Sequence, residues 1–122
     1  MQEENALNFD TVNDVAVATF TGNWIGAIGN HADLQRLTDQ LTTAGQNKGV
    51  AKLLIDMNTV KMLSSMAIGM LIKVKRDTEA AKKEMVLCSV QPELRRIFRA
   101  ANLEKLFRFQ DDRETALRAF DA

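Results

Sequence analysis

The stretch VAKLLIDM, residues Val50 to Met57, constrains the fold of this 122-residue chain more than any other. It is a short apolar run without polar alternation, the pattern of a strand buried on both faces. Such strands sit inside parallel sheets that helices cover on either side. The surrounding segments supply those helices. MLIKVKRDTEAAK follows on one side, and LTDQLTTAG precedes on the other. A strand-like EMVLCSV comes next, then the proline-started PELRRIFRAA. Alternation of strand and helix implies a mostly parallel sheet with right-handed crossovers, so the expected class is α/β.

Reading from the start, LNFDTV and VAVATF flank Asn13 and Asp14, a pair suited to a tight turn, which predicts an opening β-hairpin. TGNWIGAIGN is glycine-rich and aperiodic and reads as a loop. From Asn30 a helix is expected, with Asn30 as cap, Asp33 in its first turn, Leu34, Leu37 and Leu41 inward, and Gly45 as terminator. The helix after the serine pair is expected over about Ser65 to Lys82. Pro92 opens another through Ala101, with Leu94, Ile97, Phe98 and Ala101 inward and Asn102 as a left-handed stop. LFRF suggests a short strand. Asp111 with Glu114 marks a last helix carrying Ala116, Leu117 and Phe120 inward. The predicted order is β-β-α-β-α-β-α-β-α, in one domain over residues 1–122 with its core at about 7–120.

Several functions find no support in these residues. Sixteen Lys and Arg balance sixteen Asp and Glu, and there is no basic stripe for direct nucleic-acid binding. No apolar run approaches the roughly 20 residues of a membrane helix, so no membrane insertion is expected. The acidic start MQEENALNFD does not resemble a signal peptide, and the expected location is the cytoplasm. Cys88 has no cysteine companion and reads as a small buried hydrophobe. His31, the only histidine, has no nucleophile or ligand partner nearby, and the spacing of Gly22, Gly26 and Gly29 fits no phosphate-binding loop. No catalytic set, cofactor or metal is expected. Met57, Met62, Met66, Met70 and Met85 read as core filling, with Met66 the one nearest a surface. Asp56 ends a buried strand, where a phosphoacceptor aspartate would stand in a receiver domain. The acidic pair and the lysine of such a domain are missing, so Asp56 is expected to brace the following turn.

Between the strand and the next helix stands VKMLSSMAIGML, where Ser64 can cap the helix and Ser65 occupy its first turn. LLID followed by SSMAIGML resembles the STAS domain, the fold of bacterial anti-sigma factor antagonists. That family has a strand ending in Asp and then Asp-Ser-Ser/Thr-Gly-Leu-Gly-Val-Leu. Ser64 falls at the motif's aspartate and Ser65 at the serine phosphorylated in many members. Met66 replaces the second hydroxyl residue and Ala67 a glycine, while Ile68, Gly69, Met70 and Leu71 follow the pattern. The likeness continues through EMVLCSVQPELRRIFRAANLEKLF and RETALRAF.

The resemblance implies a non-enzymatic regulator. Its unphosphorylated form would bind an anti-sigma factor that is also a serine kinase. Phosphorylation of Ser65, or alternatively Ser64, would release that partner, and a serine phosphatase would reset the cycle. The other reading is a phosphorylation-independent interaction subunit of a lipid-transport ABC system or a stress-signalling assembly. Helical spacing puts Ala67, Met70, Leu71, Val74, Thr78 and Ala81 on the core face. Ile68 and Ile72 stand beside that stripe with Lys75 and Arg76. They either pack on a neighbouring helix or join Ser64, Met66 and Gly69 in a docking surface with a basic rim. Arg95, Arg96 and Arg99 form either a solvated face or a contact for an acidic partner.

Overall fold

The computed structural model describes residues 7–20, 31–61 and 63–121, apart from the side chains of 31–34 and 121. Its strands are β1 (Leu7–Val12), β2 (Val15–Phe20), β3 (Lys52–Asp56), β4 (Glu84–Cys88) and β5 (Arg108–Gln110). Its helices are α1 (His31–Gln46), α2 (Ser65–Ala80), α3 (Pro92–Ala100) and α4 (Arg113–Asp121), with a 3-10 turn at Glu104–Leu106. The sheet order is β1-β2-β3-β4-β5; the opening pair is antiparallel and every later pair parallel. Asn13 lies at φ 56° in the two-residue turn, where asparagine tolerates the left-handed region.

Strand alternation divides the core between the two sheet faces. Leu53 and Ile55 of β3, Ala16 and Ala18 of β2 and Met85 and Leu87 of β4 meet α1, α2 and α3. Leu54, Val15, Val17, Val86 and Cys88 point to the opposite face, which α4 covers through Ala116, with Leu117 and Phe120 half-buried beside it. Leu53, Leu54 and Ile55 are all fully buried, as the apolar run requires. Burial pushes the Cys88 thiol up to about 12, with the Asp56 charge acting in the same direction. The thiol therefore stays protonated and is a core residue. Met57, Met70 and Met85 are buried and Met66 is exposed. The glycine-rich segment, the Asn30 cap and Met62 lie outside the described residues, as do the side chains of His31, Asp33 and Leu34.

Several boundaries move from where the sequence puts them. α2 ends at Ala80, not Lys82, because Lys82 turns left-handed at φ 63° and Ala81 is only half-buried. Gly45 lies within α1 and does not terminate it. A Cβ there would sit 3.4 Å from Leu53 Cδ2 and from Thr78 Oγ1, so the small residue lets α1 lie close to β3 and α2. Gly49, at φ 86°, takes the reversal instead. In α3 only Leu94 and Phe98 are buried; Ile97 and Ala101 are exposed, because the short helix turns a narrow face to the sheet. Asn102 does take the left-handed stop, at φ 63°. Asp112 rather than Asp111 caps α4, accepting the Thr115 N–H at 2.8 Å.

Phe98 anchors α3 against the β5 end of the sheet. Its ring meets Phe107 at 5.4 Å and Phe109 at 5.7 Å between centroids, both edge-to-face. It is fully buried. Phe98→Ala should therefore cost about 3–5 kcal/mol in urea unfolding, the range for emptying a large aromatic site.

Candidate functional site

The serine pair ends a loop that is fixed at several points. The Met57 N–H donates to the Cys88 carbonyl at 2.9 Å, and the Val60 N–H donates to the Met57 carbonyl at 2.9 Å, closing a tight turn. Asp56 braces that turn, its Oδ1 accepting the Asn58 N–H at 3.0 Å. Thr59 Oγ1 donates to the Phe20 carbonyl at 3.0 Å, and Gln91 Nε2 to the Asn58 carbonyl at 2.9 Å. Val60 and Leu63 are buried on either side of exposed Lys61. The loop is thus tied to the ends of β2 and β4 before α2 begins. The ties through Thr59 and Gln91 are carried by residues that the sequence does not single out. Their only signal is a position just beyond a strand end.

The two serines have different jobs. Ser64 has extended backbone at φ −75° and ψ 166°, and its Oγ accepts the Ala67 N–H at 3.1 Å. Its carbonyl accepts the Ile68 N–H at 3.0 Å, the first bond of the helix. Ser64 is therefore the N-cap and is half-buried in that role. Ser65 is the first helical residue and is exposed. The amides of Ser65 and Met66 lie ahead of the first intrahelical bond and leave donors at the positive end of α2. No acidic residue stands in this first turn.

Beyond the serines the predicted site residues split into two sets. Met66, Gly69 and Arg76 are exposed with Ser65. Ile68 and Ile72 are half-buried and pack against the main core. Lys75 is half-buried beside them and pairs with Glu79 at 2.7 Å. Asp77, which accepts from Thr42 Oγ1 at 3.5 Å, marks the α1 side of α2, and the isoleucines lie on the other flank. Gly69 stands out physically. It lies in mid-helix, and a Cβ there would meet nothing within 4 Å. Among the described residues nothing in the packing requires a glycine, although glycine costs a helix roughly 0.5–1 kcal/mol relative to alanine.

The division between the serines is directly measurable. Ser64→Ala should lower stability by about 1 kcal/mol through loss of the cap, whereas Ser65→Ala should change it by less than about 0.5 kcal/mol, both read by urea unfolding.

The fold has relatives among known proteins. BtrV of Bordetella bronchiseptica, assigned as an anti-sigma factor antagonist, is 25% identical over 114 residues, covering 93% of each chain. An anti-sigma-factor antagonist (STAS) domain protein from Planctomyces limnophilus superposes with a TM-score of 0.80 at 18% identity, over 95% of this chain and 98% of that one. The Bacillus cell fate determinant SpoIIAA in its phosphorylated form superposes with a TM-score of 0.64 at 16% identity, over 93% and 99%. The STAS domain profile matches residues 27–116, a span that takes in β3, β4 and β5, all of the serine loop and α2; the chain belongs to the STAS domain family.

Proposed function

We propose that this STAS domain is an anti-sigma factor antagonist whose partner docks along the exposed face of α2, from Ser65 to Arg76, and is released when Ser65 is phosphorylated. The observation that carries the reading is the division between the serines. Ser64 already supplies the cap, so the exposed Ser65 hydroxyl can be modified without removing a bond that holds the helix. The partner in this reading is an anti-sigma factor that is also a serine kinase, and a serine phosphatase restores the free hydroxyl. Ser64, Met66, Gly69 and Arg76 form the contact surface with Ser65, and Ile68, Ile72 and Lys75 support its flank. The protein works in the cytoplasm, where the kinase meets ATP. Among the described residues no helix is long and apolar enough to cross a membrane.

The physics of such a switch is local. A phosphoserine carries about −1.5 to −2 charges, and at Ser65 the free amides and dipole of α2 would favour it in the isolated domain. Under a packed partner the same dianion loses hydration and meets no acid-binding cation in the first turn. A difference of about 2.8 kcal/mol between the two environments weakens binding roughly a hundredfold. The likeness to a protein solved in a phosphorylated form supports this reading.

Capture of partners from cells with wild-type, Ser65→Ala and Ser65→Glu baits, together with a phosphosite map of the wild type, tests it. A sigma-regulating kinase retained by wild type and Ser65→Ala but lost with Ser65→Glu is the expected outcome. An ABC ATPase or stress-assembly partner that ignores Ser65, with no phosphate found there, overturns it. Gly69 gives a second test with opposed readouts. Gly69→Ala should raise stability by about 0.5–1 kcal/mol, seen as a higher thermal midpoint, yet weaken capture of the same partner. Unchanged capture would place the contact elsewhere.

A further inference from the structure

The chain is neutral overall, but its charge is unevenly placed. Residues 65–106 carry nine Lys and Arg against five Asp and Glu, and the rest of the chain carries seven against eleven. Part of that excess is gathered on α3. Arg95, Arg96 and Arg99 line an open groove of about 430 Å³ with Val90 and Pro92 at its apolar end.

The three arginines are not equivalent. The Arg95 guanidinium lies 4.0 Å from the Phe109 ring centroid and donates to Glu104 Oε2 at 2.9 Å. It is held in place before any ligand arrives, though its buried Nε finds no hydrogen-bond partner among the described residues. Arg99 reaches the same carboxylate only at 3.4 Å and is 65% exposed. Arg96 is exposed, and among the described residues no acid pairs with it, including Glu93 one turn earlier. The hydrogen bonds from Arg95 and Arg99 hold the Glu104 carboxyl below its ordinary range, so it stays ionised. One negative charge therefore faces three positive ones, and two remain uncompensated.

We propose that this groove on α3 is a second docking site, one that takes an extended acidic segment of a partner protein. Carboxylates of the segment pair with the Arg96 and Arg99 guanidinium forks, and a small apolar side chain rests on Val90 and Pro92. Arginine suits this because its planar fork matches a carboxylate in a bidentate way. Arg95, fixed on Phe109, forms a wall whose order costs nothing further on binding. The shape favours a chain segment over a small molecule, because small-molecule sites are mostly apolar and bury most of the ligand. The site lies beyond the Ser65 surface but on the same end of the sheet, since Gln91, between the lining residues Val90 and Pro92, bonds the loop that leads to Ser64. It does not depend on phosphorylation.

The test is an amide-shift titration of the full chain at low salt. Its probes are a short peptide of alternating Glu and Ala, the same peptide with Gln for Glu, and inorganic pyrophosphate. Saturable shifts at Val90, Arg95, Arg96 and Arg99 with the Glu peptide alone are expected. Arg96→Ala should weaken them about fivefold, the upper end for one exposed ion pair. Arg118→Ala removes the same charge from the exposed side of α4 and should leave them unchanged. Equal weakening by both variants, or unsaturated shifts spread over all basic residues, overturns the proposal. Pyrophosphate saturating the groove where the Glu peptide does not would also overturn it.

Discussion

Burial of β3 on both faces is the constraint on which the rest of the molecule depends. A strand with Leu53, Leu54 and Ile55 fully buried needs a neighbour on each side and a cover on each face. β2 and β4 are the neighbours; α1, α2 and α3 cover one face and α4 the other. The strand also ends where its hydrogen bonding passes to the loop. Asp56 turns the chain back on itself through the Asn58 amide, and the turn delivers Ser64 to the start of α2. The position of the serine pair is thus set by the core beneath it.

The same constraint explains why so much of the architecture is legible in the sequence. An apolar run that must be buried on both faces, followed by a 3.6-residue periodicity, leaves few topologies open. The order of strands and helices, the hairpin at Asn13 and Asp14, the stop at Asn102 and the brace at Asp56 all follow from local chemistry and stand as expected. Less legible is anything decided by tertiary approach. Gly45 has the local chemistry of a terminator, but the closeness of Leu53 and Thr78 gives it a packing role inside α1. Ile97 fits the inward periodicity of α3, but a nine-residue helix buries only Leu94 and Phe98.

The site shows the same split. That the serine pair opens a helix is readable from the residues, and so is the exposure of Met66. Ser64 at the cap with Ser65 in the first turn is readable as well and stands as expected; what the residues leave open is why it must be so. The answer comes from the register of α2 against the core, where Ala67, Met70, Leu71, Val74 and Thr78 must all face inward. With that register fixed, the Ala67 amide falls opposite Ser64 Oγ, and Ser65 turns outward. The substitution of serine for the aspartate usual in the resembling motif leaves the capping function intact, since both residues accept from the same amides. It changes only the charge beside Ser65.

Charge is also what separates the two surfaces at this end of the sheet. The start of α2 has free amides, no acid in its first turn and a hydroxyl as its most exposed polar group, an arrangement whose affinity for a partner can be altered by adding a dianion. The groove on α3 has three guanidinium groups, one of them already ordered on Phe109, and an affinity set by salt and by the partner's carboxylates. A partner that used only the first surface would feel the whole of the roughly hundredfold weakening from a modification at Ser65. One that also reached the second would keep a residual, salt-sensitive hold, because nothing at Ser65 alters the charge on Arg96 and Arg99. Because the Gln91 to Asn58 bond ties the start of α3 to the loop that leads into α2, linked occupancy of the two surfaces would turn two weak contacts into one tight one.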